Sequence, residues 1–323
     1  MPRRREHIVL VALFYGIATY FPHQSNSPDV ERQTTQAAHL RSKSVHAGTP
    51  TLPEGARGWD QLSPGVGCAV FDDRLMWTSD GGVGWTDITP PRSSEESMTN
   101  SFFLDAKHGW AVIVNNVATD ESPSPRVVRT EDGGRIWIRG RFDKSSFPGL
   151  NRTLAFPKAL WFVDRNHGWL EWKVQSSSAF DFGLLYRTRD GGKTWAELAD
   201  PPNGGDMRFD SSRVGWLVGG GSNQELHVTR DGGDAWKEVS MEAPDDCDRC
   251  RPAYSLPEFR GRRDGALEVV FHDDRNLEGR HFTRTYITHN GGHSWSSVST
   301  TERIGPIETK GAPPLVWHHC QVP

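Results

Sequence analysis

One eight-residue pattern occurs five times in this chain and constrains its fold more than any other feature. Each copy, called a box below, reads Thr-x-(Asp/Asn)-Gly-Gly-x-x-Trp, and the copies begin at Thr78, Thr130, Thr188, Thr229 and Thr288. Successive copies start 52, 58, 41 and 59 residues apart. A single copy would also suit a catalytic or phosphate-binding loop, but such a loop is not normally needed five times. The repetition therefore predicts a repeat architecture with one box in each unit.

The chemistry of the box predicts a tight turn between two strands. An Asp or Asn side chain can accept backbone N–H bonds across its own turn, and Gly-Gly supplies positive φ at little steric cost. The Thr hydroxyl can add a second local bond, and the Trp has a large apolar face to bury against a neighbouring unit. We therefore interpret the box residues as structural. The turn-closing residues are Asp80, Asp132, Asp190, Asp231 and Asn290, and the box tryptophans are Trp85, Trp137, Trp195, Trp236 and Trp295.

A second pattern precedes each box and reads as strand, short polar turn, Gly, strand. It appears as "FFLDAKHGWAV" from Phe102, "LWFVDRNHGWLEW" from Leu160 and "MRFDSSRVGWLVG" from Met207. Cys68 takes the place of the Trp in "GVGCAVF", and "EFRGRRDGALEVVF" from Glu258 has lost it. Each unit thus holds four short strands, which predicts an all-β propeller of four-stranded antiparallel blades. Five blades carry a box, and the apolar run at 315–317 predicts a closing strand or a partial sixth blade, with Ala56–Ser63 as its other candidate strand.

The boxes resemble the Asp-box, or bacterial neuraminidase repeat, of sialidases, xyloglucanases and sortilin-type receptors. The combination "F-x-D-x-x-H-G-W … T-x-D-G-G-x-T-W" is more similar still to the photosystem II stability/assembly factor family. The resemblance covers residues 57 to 299. It implies a propeller that binds a protein partner, with basic residues on the ring forming the docking surface.

The N-terminal part of the chain differs from the repeats. "MPRRREH" is basic and is followed by an apolar run of 14 residues from Ile8 to Phe21. This layout is typical of a signal peptide, with an uncleaved anchor as the alternative. Residues 22–55 are rich in Ser, Thr, Gln and Pro and read as a flexible linker, so residues 56–323 form a single propeller domain. We expect an exported protein, periplasmic or extracellular.

Charge and cysteine content narrow the classes of function. The net charge is −4, and −6 without residues 1–21, with no Lys/Arg block, which argues against a nucleic-acid binder. An even number of cysteines in an exported chain suggests disulfides. We expect Cys247 to pair with Cys250, and Cys68 with Cys320 as a latch between the chain ends. Other pairings, a metal site and a redox site are the alternatives for the Cys-x-x-Cys, and we expect neither cofactor nor metal.

The sequence favours binding over catalysis. Sialidases use an Arg-Ile-Pro motif that is absent here, and Tyr254 is the lone candidate for their nucleophilic tyrosine. Glycoside hydrolysis otherwise needs two carboxylates across a cleft, for which Asp164 with Asp210 is one candidate pair. The alternative function is therefore an exported glycoside hydrolase, sialidase-like or xyloglucanase-like.

Propeller function resides on loops, because packing uses the strands. The turns between the first two strands of successive units carry the possible partner-binding residues His108, His167, Arg213, Arg262 and Arg263. We expect a monomeric, non-catalytic scaffold that binds a protein partner, with carbohydrate as the second ligand class. The alternative is that these five residues are solvated turn residues with no role in binding.

Overall fold

In the part of the chain that the structure describes, five antiparallel β-sheets make up almost all of the regular structure. The computed structural model describes residues 56–71, 74–116, 125–140, 155–174, 182–247, 249–273 and 279–304. In four of the sheets the strands pair in chain order, as in a meander, and in the fifth sheet the first two strands both pair with the third. The predicted all-β propeller of four-stranded antiparallel blades is confirmed, and the five sheets are called blades 1 to 5. Within these ranges no helix is long and apolar enough to cross a membrane.

The strands of each blade follow one another along the chain. Blade 1 contains β1 Ala56–Ser63, β2 Val66–Phe71, β3 Arg74–Thr78 and β4 Thr86–Asp87. Blade 2 contains β5 Glu96–Phe103, β6 Gly109–Asn115, β7 Arg126–Thr130 and β8 Ile138–Arg139. Blade 3 contains β9 Ala155–Phe162, β10 Gly168–Val174, β11 Phe182–Thr188 and β12 Ala196–Glu197. Blade 4 contains β13 Asp206–Phe209, β14 Gly215–Gly219, β15 Glu225–Thr229 and β16 Lys237–Glu238. Blade 5 contains β17 Cys250–Tyr254, β18 Glu258–Arg260, β19 Asp264–Asp273, β20 His281–Thr288 and β21 Ser296–Arg303.

Blades 1 and 5 differ from the arrangement that the sequence predicts. Ala56–Ser63 pairs with β2 as the first strand of blade 1, so it does not belong to a sixth blade. In blade 5 the first strand is broken, because β17 and β18 both pair with β19 on either side of Pro257, which has no N–H to donate. The leader, the linker, the closing strand at 315–317 and the Cys68–Cys320 pair involve residues outside the described ranges.

The register of each blade brings its first turn and its box to the same end. A Gly at or next to the start of the strand that follows the first turn pairs with the box Thr in every blade, as Gly109 does with Thr130. The first box glycine then donates its N–H to a carbonyl of the first turn, for example Gly232 to Arg213 at 2.8 Å. We call the ends of the blades that carry these two turns the turn face.

The box turn is held by three hydrogen bonds that recur in all five copies. In blade 3 the Thr188 hydroxyl donates to Asp190 Oδ1 (2.9 Å) and accepts from the N–H of Gly192 (2.8 Å). Asp190 Oδ1 also accepts the N–H of Thr194 at 2.9 Å. In blade 5, Asn290 Oδ1 makes the same contacts. These bonds favour the ionised side chain: in blade 1 the backbone N–H of Gly84 and the Thr78 hydroxyl hold the pKa of Asp80 below its usual value.

Stacked aromatic rings join successive blades. Trp110 of blade 2 lies flat on Phe162 of blade 3, with ring centroids 3.6 Å apart, and Trp169 of blade 3 lies on Phe209 of blade 4 at 3.8 Å. Both indoles also donate their N–H to the carbonyl of the first box glycine of the next blade, Trp110 to Gly191 at 2.8 Å and Trp169 to Gly232 at 3.0 Å. Only glycine fits at the start of the second strand, because a Cβ on Gly168 would lie 2.4 Å from the Phe162 ring.

In blade 1 a different residue supplies the aromatic ring that packs on the next blade. Cys68 occupies the position of the stacking Trp and is fully buried. Its register partner on the third strand is Trp77, whose ring lies 5.0 Å from that of Phe103 in blade 2. The indole that packs on the next blade is therefore supplied by the neighbouring strand.

A disulfide and a buried ion pair lie outside this repeated pattern. Cys247 and Cys250 form the expected local disulfide, with Cα atoms 5.5 Å apart. Between blades 3 and 4, Lys158 Nζ lies 3.3 Å from Oε1 of Glu171, which is only 1% exposed, and donates to the Gly204 carbonyl at 3.0 Å. Burial raises the pKa of Glu171 to about 7, although Lys158 opposes this.

The box geometry predicts the outcome of two substitutions at Asp190. Asp190→Ala should lower the free energy of unfolding by about 1–3 kcal/mol, because the turn N–H groups lose their acceptor. Asp190→Asn should cost less than about 1 kcal/mol, because Asn290 closes the same turn in blade 5. Urea unfolding measures both. Equal losses for the two variants would contradict the acceptor role.

Glu171 predicts a pH dependence of stability. Its pKa is about 7 in the folded protein and is near 4.5 when exposed. The folded state therefore holds a proton that the unfolded state has lost, so the free energy of unfolding should fall by roughly 3 kcal/mol as pH rises from about 5 to 8. Glu171→Gln should remove this slope in urea unfolding across that range. A slope that persists in the variant would assign it to another group.

Candidate functional site at the junction of blades 4 and 5

The five possible partner-binding residues all lie on the turn face, but their surroundings differ. His108 Nδ1 lies 2.8 Å from Oδ1 of Asp105, and His167 Nδ1 lies 2.9 Å from Oδ2 of Asp164. In both turns the same aspartate also accepts the histidine's backbone N–H. These two imidazoles are thus held against their own turns.

The arginines of blades 4 and 5 are arranged differently. Arg263 donates from Nε to the His289 carbonyl at 3.2 Å. Arg213 and Arg262 are exposed and line one cavity of about 430 Å³, which we call the turn-face cavity. Two residues that sequence reasoning did not select, Arg230 and His293, line it as well. The structure therefore brings together Arg213 and Arg262 and separates them from the two histidines.

Arg230 is the least solvated cation of this cavity. It is half-buried, and its Nη2 donates to the Gly291 carbonyl at 3.2 Å. Burial lowers the pKa of Arg230, which reflects the cost of removing the guanidinium from water. Among the described residues no carboxylate forms an ion pair with it. The cation is therefore only partly compensated by the protein.

Asp210, the one carboxylate that lines the cavity among the described residues, is engaged in another contact. Asp210 Oδ1 accepts from Arg208 Nε at 3.0 Å. Burial raises the pKa of Asp210, while Arg208 lowers it. The same Arg208 donates from Nη2 to the carbonyl of Pro257 in blade 5. Arg208 thus ties the carboxylate to the blade junction, and the three cavity arginines remain in excess.

The junction between blades 3 and 4 shows what the repeat does elsewhere. Arg187, opposite Trp169, forms a two-bond ion pair with Asp234, both bonds being 3.0 Å, and also donates to the Gly232 carbonyl. Trp169 donates to that same carbonyl. The pair fills the space between the two blades and neutralises its own charge.

At the junction between blades 4 and 5 each of these features is replaced. Val228, opposite Trp216, stands where blade 3 has Arg187, and His293 stands at the box position of Asp234. The Gly291 carbonyl accepts from Arg230. A second cavity of about 440 Å³, lined in part by Val228, Tyr286 and Trp295, also has Arg230 in its wall.

The fifth box also lacks the acidic residue of the other four. Asn290 Oδ1 accepts the N–H of Ser294 at 3.0 Å, and its Nδ2 donates to the Ser294 hydroxyl. The turn keeps its shape while a negative charge disappears from the wall of the turn-face cavity. An alignment of the five boxes shows this loss of charge, but it does not distinguish Arg230 from Arg189, which stands at the same position of the third box.

Comparison with known proteins gives distant structural similarities. No protein-family model matches the chain, and no curated protein matches it. Solved structures similar to it include YCF48 bound to D1 peptide (18% identity, 79% of this chain and 88% of that one, TM-score 0.41). An ancestral GH74 enzyme is 14% identical over 75% of this chain and 32% of its own, with a TM-score of 0.42. The fucose-binding Aleuria aurantia lectin, a six-bladed propeller, is 11% identical over 75% and 73%, with a TM-score of 0.38.

Proposed function

We propose that this protein is an exported, non-catalytic propeller scaffold that docks a protein partner on its turn face. The observation that carries the proposal is the convergence of Arg213, Arg230 and Arg262 on one cavity, in whose described lining the carboxylate, Asp210, is bound by Arg208. Packing between blades uses the Phe and Trp side chains, so recognition is left to the turns. The role resembles that of photosystem II assembly factor-like proteins.

The candidate catalytic groups are engaged in structural contacts, which favours binding over hydrolysis. Asp164 accepts the N–H groups of Asn166 and His167 at 2.8 Å, and Asp210 is paired with Arg208. Tyr254 is buried, its hydroxyl accepts the N–H of Met241, and burial raises its pKa. A nucleophile needs an accessible, activated atom, and a buried phenol with a raised pKa does not supply one.

Capture of the partner from the native envelope fraction tests the proposal. The full chain should retain a specific protein, and Arg213→Glu with Arg262→Glu should reduce the retained amount by about tenfold, because both charges are reversed in one cavity. Arg135→Glu with Arg139→Glu is the matched control, because it also reverses two charges and both arginines are exposed in blade 2.

Equal retention by the cavity variant and the control would contradict docking at this cavity. Release of sugar from aryl sialosides or xyloglucan oligosaccharides by the purified protein, lost on replacing one carboxylate, would make it a hydrolase instead.

A further inference from the structure

We infer that the turn-face cavity between blades 4 and 5 binds a short acidic segment of the partner protein, whose carboxylate is received by Arg230 between Arg213 and Arg262. This inference rests on the proposed function and specifies the chemistry of the partner. It depends on three observations: the charge of the fifth box, the environment of Arg230 and the shape of the cavity.

The charge of the fifth box has been changed without changing its turn. The box of blade 4 carries carboxylates at Asp231 and Asp234, and the corresponding residues of blade 5 are Asn290 and His293. Asn290 nevertheless makes the same hydrogen bonds to the turn as Asp231 does. Folding therefore does not require the neutral residue. The effect of Asn290 in place of Asp is electrostatic, because the neutral side chain does not repel an anion that enters the cavity beside Arg230.

Arg230 supplies the strongest attraction for such an anion. Among the described residues the half-buried guanidinium of Arg230 makes one hydrogen bond, to a carbonyl. Most of its N–H groups are then left for a planar carboxylate, which can accept hydrogen bonds from two of them at once. In blade 3 the protein itself provides this arrangement, with Asp234 bound to Arg187 through two bonds. In blade 5 the equivalent position is His293, so the corresponding carboxylate must come from outside.

The size and surroundings of the cavity favour a peptide segment over a long polyanion. A volume of about 430 Å³ suits one or two side chains, and Phe259 and Val214 give part of its lining an apolar character. The chain as a whole has a net charge of −4, and its turn face also carries the carboxylates of four boxes. A polyanion extending beyond the cavity would meet these charges, whereas a short acidic segment would not.

Peptide binding to the full chain tests the inference. The probe is a blocked Glu-Phe-Glu-Phe-Glu peptide, compared by calorimetry with the Gln-Phe-Gln-Phe-Gln peptide. The acidic peptide should bind at least about tenfold more tightly, and Arg230→Gln should remove most of this preference. Because Arg230→Gln also deletes the bond to Gly291, Asn290→Asp is the decisive variant: it should weaken the acidic peptide by about tenfold at an unchanged melting temperature.

The matched control is Asn166→Asp, which adds the same charge at an exposed position of the turn face in blade 3. It should change the affinity for the acidic peptide by no more than about twofold, because solvent and salt screen the repulsion between the added carboxylate in blade 3 and a peptide bound between blades 4 and 5. Equal affinities for wild type and Asn290→Asp, or equal losses in Asn290→Asp and Asn166→Asp, would overturn the inference. Tighter binding of dextran sulfate than of the peptide would also overturn it, if Asn290→Asp weakened that binding, since the cavity would then serve a polyanion.

Repeating the envelope capture with Asn290→Asp separates this inference from the proposed function. Reduced capture supports both. Unchanged capture of a partner that depends on Arg213 and Arg262 leaves the proposed function standing and rejects the acidic segment. Peptide binding as expected, with no partner retained through the cavity, supports the carboxylate site and rejects the scaffold function.

Discussion

The hydrogen bonds between the box Thr, the box Asp or Asn and the turn N–H groups are the constraint on which the rest of this fold depends. They place two glycines at positive φ, for example Gly191 at 74° and Gly192 at 82°, and so aim the first glycine's carbonyl at the preceding blade. Trp110 can then donate to that carbonyl while its ring stacks on Phe162. A local turn thereby fixes the packing between blades, and repeating the turn repeats the junction.

Because the junctions between blades repeat, the residues at equivalent positions of two junctions can be compared directly. Blades 3 and 4 meet through a self-neutralising pair, Arg187 with Asp234. Blades 4 and 5 meet through Val228 and His293, and Arg230 there contacts the Gly291 carbonyl but has no ion-pair partner among the described residues. The stacking of Trp216 on Phe259 is also looser, with ring centroids 5.7 Å apart. Such a local departure costs stability unless something binds there, since a half-buried cation without a counter-ion is unfavourable. The contrast locates the site more sharply than the surface charge of the whole chain does.

Much of the fold could be predicted from the sequence, because each feature involved is local. The boxes, the Gly-Trp turns and the alternation of short strands are all determined within a few residues of one another. What could not be predicted involves contacts between blades. Trp77 replaces the indole missing at Cys68 only because register sets the two residues opposite each other. Arg230 looks like an ordinary variable box residue until blade 5 is packed against it.

Restoring the repeat at the junction of blades 4 and 5 tests this account most directly. The substitutions Val228→Arg and His293→Asp copy the pair formed by Arg187 and Asp234. We expect the melting temperature of the double variant to equal or exceed that of the wild type, since a neutralised pair fills the junction. We also expect it to lose binding of the partner, because the new carboxylate competes for the arginines. A stable double variant that binds as the wild type does would contradict the claim that this departure from the repeat forms the binding site.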